Sequence, residues 1–263
     1  MNRTLYVATT GLEAQDFRLA TISNNLANAN TYGYKTGRAE FADLMYQNVR
    51  QPGAQATQNE ENTLPSGLQM GTGVKAIGVQ KIHTEGNAII TDNELDLMIQ
   101  GKGFFQALDQ DGNLMYTRDG SFEVNQNGDL VTSSGYLVEP NINIPLNSTE
   151  VFVTSDGVVS AKEPGNPQPV QLGQLELATF INPSGLESIG KNFYMETLAS
   201  GPPNVKNPEV EEAGGILQGA LESSNVNTVE ELVGMIEAQR TYEMNSKAIS
   251  AADGMMQYLN NNV

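Results

Sequence analysis

Apolar residues open the chain at alternating intervals of three and four: Leu5, Ala8, Leu12, Leu19, Ile22, Leu26 and Ala29, with Gln15 the one polar member. That spacing returns to one helix face and predicts a coiled-coil seam about four heptads long. Gly33, just beyond it, suits a C-terminal cap. Gly11, inside it, costs about 1 kcal/mol relative to Ala. The last part of the chain repeats the theme. Thr228 and Glu231 fit a capping box. Beyond them Met235, Tyr242, Ile249 and Met256 recur every seven residues, with Ala238, Asn245, Ala252 and Leu259 three residues after each. This predicts a helix from about 229 to 259, in which Asn245 lowers stability but fixes register.

Between the helices the period changes. Asp111-Gly112, Asp119-Gly120 and Asn127-Gly128 fall eight residues apart, with Leu114–Thr117 and Phe122–Val124 between them. Such dipeptides between short apolar runs predict tight hairpins, read as an antiparallel meander. Asp156-Gly157 and Asn182–Gly185 add turns, and Leu172–Phe180 suggests further strands. Residues 36–70 carry neither period; the stretch 51–62 is polar and bears Gly and Pro, as an extended arm would. The fold class expected is α+β. It comprises an N-terminal coiled-coil helix (1–35), an extended arm (36–70), a β-rich outer domain (71–217) and a C-terminal coiled-coil helix (218–263). The two helices either pack on each other or on the middle domain, or zip into other subunits.

Charge narrows the partners. The 263 residues carry a formal charge of -17, which argues against nucleic acid or anionic membrane as the main partner. Residues 1–50 hold five basic and four acidic groups, so the excess of acid lies beyond them. Met1–Gly11 is too short and polar for a signal-peptide core, and no run approaches a membrane span of roughly 18 apolar residues. Taken alone this reads as a cytoplasmic chain, or as one exported without a cleaved signal. Zero cysteines exclude disulfides and thiolate chemistry, and the single His83 excludes a multi-histidine metal site.

No catalytic, cofactor or metal site emerges. Gly71-Thr72-Gly73-Val74-Lys75-Ala76 matches a loosened dinucleotide fingerprint with Asp92 about 20 residues on, but strand-like sequence follows where a helix is needed. Gly101-Lys102-Gly103 lacks phosphate-loop spacing and reads as a tight bend before a strand. Asp109, Asp111 and Asn113 begin like a calcium loop, yet Leu114 and Gly120 stand where Gly and Glu belong. Asp92, Glu94 and Asp96 read as a solvated strand face, and His83 as a surface or strand residue. An enzyme is not expected.

Two segments are similar to the terminal signatures of the bacterial flagellar rod and hook axial proteins. One runs Ile22–Lys35; the other runs Ser224–Asn227 through Glu230–Val233, Ile236–Glu243 and Asn245–Ala248. Asp119–Phe122 matches between them. Arg50–Gln55 and Leu64–Gly73 resemble the insert of the distal-rod branch; a proximal-rod or hook-type axial protein is the alternative. The resemblance implies a structural subunit of a hollow, rigid drive shaft that transmits torque and encloses the export channel. Many copies would form a helical tube. The implied neighbours are proximal rod proteins, hook protein, the rod cap protein, the P- and L-ring bushing and the flagellar type III export apparatus. The place implied is the basal body, in the rod spanning the periplasm, without nucleic acid or membrane insertion. The residues expected at subunit interfaces are Leu5, Leu12, Leu19, Ile22, Asn24, Asn25, Leu26, Asn28, Met235, Tyr242, Asn245, Ile249, Met256 and Leu259. Asn24, Asn25 and Asn28 can each donate and accept and are expected to tie the first helix to a neighbouring subunit, simple helix capping being the alternative. Arg50, Gln51, Pro52, Gly53, Ala54 and Gln55 are expected to form a stiffening arm.

Overall fold

The computed structural model describes residues 3–51, 66–165 and 168–261, with side chains at the C-terminal end described as far as Tyr258. Pro52, Gly53, Ala54 and Gln55 of the expected arm lie outside the described residues, as does the side chain of Leu259. The chain divides into two compact units. One holds 1–26, 37–80 and 228–263; the other holds 27–36 and 81–227.

The first unit contains α1 (Arg3–Ala27), β1 (Gly37–Asp43), β2 (Gln47–Arg50), β3 (Leu68–Met70) and β4 (Val74–Lys81), and ends the chain with a helix over Thr228–Asn261. β1 pairs with β4, and β2 with β3. Residues 36–70, expected to lack regular structure, therefore carry three strands. β-branched and aromatic residues are too sparse there to show a period of two. β4 was expected to open the β-rich domain and belongs instead to the unit of the terminal helices. It directly follows Gly71-Thr72-Gly73, so the dinucleotide fingerprint leads into a strand and lacks its helix.

Among its described residues the second unit is built of β-strands and one 3-10 turn. Its strands are β5 (Ala88–Ile90), β6 (Leu97–Gln100), β7 (Phe105–Leu108), β8 (Leu114–Thr117), β9 (Phe122–Val124), β10 (Leu130–Thr132) and β11 (Leu137–Glu139). They continue with β12 (Glu150–Val153), β13 (Val158–Lys162), β14 (Val170–Gln174), β15 (Leu177–Thr179), β16 (Glu187–Gly190) and β17 (Phe193–Met195). β18 (Asn204–Lys206), β19 (Gly215–Gln218) and β20 (Ala220–Glu222) complete the set. A seven-stranded sheet runs β16-β17-β8-β7-β11-β10-β9, and a three-stranded one β12-β13-β14. β15 pairs with β18, β19 with β6, and β20 with β5. Leu97, Ile99, Phe105, Phe122, Val138 and Leu175 are among the residues at the centre of its largest apolar core.

Two of the three expected hairpins form. Asp111-Gly112 turns β7 into β8, and Asn127-Gly128 turns β9 into β10, each glycine having positive φ. Asp119-Gly120 does not turn a hairpin, because β8 and β9 are not neighbours: β9 closes the far edge of the sheet. Gly120 answers a different need. A Cβ there would sit 1.6 Å from the Leu97 carbonyl oxygen, so the backbone approaches β6 as only Gly allows. The Asp109–Asn113 segment is the β7–β8 turn, as its sequence suggests.

Candidate assembly surfaces

The terminal helices touch side by side within the first unit. We call the second of them α2 (Thr228–Asn261). A Cβ on Gly11 would lie 3.0 Å from Asn245 Nδ2, and one on Gly234 3.5 Å from Ile22 Cδ1. Arg18 Nη2 is 3.7 Å from Glu237 Oε2, and Asn25 Nδ2 donates to Glu231 Oε1 at 2.8 Å. As the α1 number rises from 11 to 25, the α2 number falls from 245 to 231, so the helices run antiparallel over about 21 Å at 1.5 Å per residue. Gly11, a cost to the isolated helix, is the residue that lets Asn245 approach.

The seam residues divide accordingly. Ile22 is buried, and Leu5, Leu12, Leu19 and Leu26 are half-buried. Met235, Asn245 and Ile249 are half-buried, while Ala238 and Ala252 are buried. Tyr242 and Met256 are exposed. A second apolar set on α2 is exposed: Val229, Leu232, Val233 and Ile236, with Met244, Met255 and Tyr258 further along. At roughly 100° of turn per residue this set lies on the side away from Gly234, Ala238 and Asn245. Its members interleave with the heptad positions, so in the sequence they merge with the Met235–Met256 stripe.

Asn25 differs from its expected role as a tie to another subunit. It is 2% exposed, and its amide is engaged within the chain: Nδ2 donates to Gly37 O at 2.8 Å and to Glu231, while Gly37 N donates to Oδ1 at 2.9 Å. That fixes the start of β1 against the end of α1. Asn24 is exposed, and Asn28 Oδ1 accepts from the Thr31 hydroxyl at 3.2 Å. Arg50 and Gln51 are exposed, as is every residue of β2 and β3.

In the second unit the three signature segments converge on a buried ionic knot. Lys35 Nζ donates to Glu222 Oε1 at 2.5 Å and to Thr84 O at 2.7 Å. Arg118 Nη1 reaches Glu222 Oε2 at 3.4 Å and Ile99 O at 3.2 Å, and Nη2 donates to Gly101 O at 2.5 Å. Gly86 N donates to Glu222 Oε1 at 2.8 Å, and Gly33 N to the Glu222 carbonyl at 2.9 Å. The side chains of Lys35 and Glu222 are wholly buried and that of Arg118 nearly so. Burial pulls the Lys35 ammonium below its ordinary pKa, and the Glu222 carboxylate opposes that shift. Gly33 has φ +68° and packs backbone to backbone on Arg118, where a Cβ would be 2.7 Å from the Arg118 carbonyl carbon. Asn225 completes the tie: its Oδ1 accepts from Thr36 N at 2.8 Å and its Nδ2 donates to Ile82 O at 2.8 Å. None of these residues was singled out for this role from sequence. The signal available was one charged residue inside a matched signature, Lys35, and two just ahead of the others, Arg118 and Glu222.

His83, read from sequence as a surface or strand residue, is half-buried and lies in the loop after β4. Its ring packs edge-on against Phe104 and Tyr194, with centroids at 5.6 and 5.5 Å. Burial, then the charges of Lys35, Arg118 and Lys81, lower its pKa to about 4. Asp96 is buried, accepting from Thr91 and Asn93, and Glu94 accepts from Val151 N. These carboxylates brace loops.

Comparison with known proteins decides what the surfaces belong to. Residues 5–35 match the flagella basal body rod protein family, 98–161 the D1 domain of flagellar hook protein FlgE/F/G, and 217–262 the C-terminal region of flagellar basal body rod FlgEFG proteins. The flagellar basal-body rod protein FlgG of Buchnera aphidicola from Acyrthosiphon pisum is 53% identical over 97% of both chains. The chain belongs to the FlgG family of flagellar basal-body rod proteins. FlgG of Caulobacter vibrioides is 47% identical over 96% of both chains, and FlgG of Bacillus subtilis 37% over 99%. As a FlgG-family member it is a structural component of the distal rod, in the basal body where the rod spans the periplasm, and not an enzyme. The proximal-rod or hook-type alternative is not favoured. No helix among its described residues is long and apolar enough to cross a membrane.

Proposed function

We propose that the FlgG-family chain builds the rod by presenting a second apolar helix face to its neighbours. The single observation that carries this is the exposed set Val229, Leu232, Val233 and Ile236, which are 68%, 47%, 52% and 51% exposed on the side of α2 away from α1. Full burial of such side chains returns roughly 1.5–3 kcal/mol each, so covering what remains exposed is worth about 1 kcal/mol per residue. Many copies packing coiled-coil-like through these faces form a hollow, rigid shaft. It transmits torque and encloses a channel for the type III export apparatus. Its β unit forms the outer wall, turning within the P- and L-ring bushing. Proximal rod proteins, hook protein and the rod cap protein meet its ends. The exposed β2–β3 pair with Arg50 and Gln51, continuing into Pro52–Gln55, acts as the stiffening arm between adjacent copies.

The test is Ile236→Asp in the full chain. Rods should be absent by electron microscopy, while the near-ultraviolet tyrosine signal of the β unit stays unchanged. Normal rods from that variant would refute the assignment.

A further inference from the structure

Beside the ionic knot the second unit holds a cavity of about 380 Å³, lined by His83, Phe104, Arg118, Phe180, Ile181 and Pro183 among others. Phe104, Arg118 and Phe180 are buried, at 3%, 4% and 9% exposed, whereas Ile181 is 94% exposed. The cavity therefore has a buried floor and an open mouth. Its walls are braced from within. Phe104 N donates to Ala178 O at 2.9 Å, and Ala178 N to Phe104 O at 3.0 Å. The Thr179 hydroxyl donates to Asn204 O at 3.1 Å, which ties β15 to β18. A cavity built in advance spares a ligand the cost of ordering it.

The floor carries an orphan donor. Arg118 spends Nη1 and Nη2 on Glu222 and on the carbonyls of Ile99 and Gly101. Its Nε–H is buried and has no hydrogen-bond partner among the described residues. A buried donor on a charged group is costly to leave unsatisfied. The guanidinium sets its face over the Phe104 ring, 5.5 Å from the centroid, so the in-plane Nε–H stays available. Charge at this wall runs against the -17 of the whole chain. After burial itself, the charges of Lys35, Arg118 and Lys81 hold the His83 pKa down, so the local field is positive. Glu222 and Glu85 oppose them, and the cations Lys35, Lys81 and Arg118 outnumber these carboxylates by one. Lys102 and Glu212 also line the cavity, but they pair with each other at 3.7 Å and add no net charge.

We propose that this cavity binds a small organic monocarboxylate, whose carboxylate accepts from the Arg118 Nε–H and whose apolar body lies against Phe104, Phe180 and Ile181. One orphan donor and one excess positive charge suit a monoanion. A phosphate or sulfate needs several donors to replace its water and finds one here. The aromatic and aliphatic walls favour a ligand that carries an apolar group behind its charge. This site is independent of the rod-assembly reading, which rests on the helices of the first unit.

His83 is the chain's single histidine and lines the cavity, so one imidazole resonance reports on it. The full chain, isotope-labelled, is titrated with sodium benzoate at neutral pH and constant ionic strength, and followed by nuclear magnetic resonance. The expected result is a saturable shift of the His83 Hε1 signal. The Arg118 Nε–H signal should move with the same saturation curve. Benzamide, the uncharged analogue, should bind about tenfold more weakly or worse, and inorganic phosphate should leave both signals in place. Arg118→Lys keeps the charge and removes Nε, and should abolish the benzoate shift. Because Arg118 also belongs to the knot, a second variant keeps the test sound if that one fails to fold. Ile181→Glu, at an exposed position, sets a like charge at the mouth and should weaken benzoate about tenfold, with the near-ultraviolet circular dichroism unchanged. A shift that grows without saturation, an unmoved Arg118 Nε–H signal, or equal binding of benzamide or phosphate would overturn the site. So would an Ile181→Glu chain that binds benzoate as tightly as the unmodified one. Rod formation is untouched by any of these results.

Discussion

Replacing Glu222 by Gln removes the carboxylate that lies between Lys35 and Arg118, and keeps its shape. The three side chains together carry one net positive charge. The substitution leaves two cations facing each other in a site where all three are nearly or wholly buried. Breaking a buried ion pair by removing one partner costs about 3–5 kcal/mol. Lys35→Met acts in the opposite sense. It leaves Arg118 and Glu222 as a neutral pair and sacrifices the hydrogen bonds from Nζ to Thr84 O and Glu222, for roughly 1–2 kcal/mol. The account therefore predicts an order, with Glu222→Gln clearly the more damaging. Urea titration of the full chain, followed by near-ultraviolet circular dichroism, reads it out, because Tyr34, Tyr116 and Tyr194 are buried in the same unit. If Lys35→Met destabilised as much as Glu222→Gln, or if Glu222→Gln cost under about 1 kcal/mol, the electrostatic reading of the knot would be refuted.

His83 should make the β unit acid-sensitive. Its folded pKa is lowered to about 4 against roughly 6.5 unfolded, so its stabilising contribution is full above pH 6.5 and is lost as pH falls to about 4. The loss is on the order of 3 kcal/mol. His83→Gln should flatten the stability profile between pH 6.5 and 4, and an unchanged slope in that variant would remove the explanation. Asn25→Ala should lower the thermal midpoint of the helical signal, since it leaves the buried Gly37 N–H and Gly37 O short of a partner, at about 1–3 kcal/mol for each buried group left unsatisfied. A melt within experimental error of the unmodified chain would show that water replaces the amide at no cost.

The helices were legible in sequence because heptad spacing is a local pattern. α2 runs 228–261 against the expected 229–259, and α1 carries the whole of the Leu5–Leu26 stripe. The hairpins at 112 and 128 were legible for the same reason, since the turn chemistry sits in two adjacent residues. Gly120 looked identical to them and is not a turn, because the demand on it comes from Leu97, distant in sequence. The ionic knot was hidden for that reason too. Lys35, Arg118 and Glu222 are separated by 83 and 104 residues, and charged residues carry no periodicity that would announce burial. The heptad positions of α1 also could not reveal how much of their cover comes from the chain itself. Only the falling register from Asn245 to Glu231 shows that α2 lies against them. The same strand-poor composition that made 36–70 read as an arm concealed β1, whose start is set by Asn25.

The central claim is that the side of α2 turned away from α1 is covered by neighbouring copies in the rod. Electron cryomicroscopy of rods assembled from the full chain tests it most directly. The account predicts that Val229, Leu232, Val233 and Ile236 are packed against helices of adjacent subunits. Rods in which that face borders only solvent or the channel would contradict it.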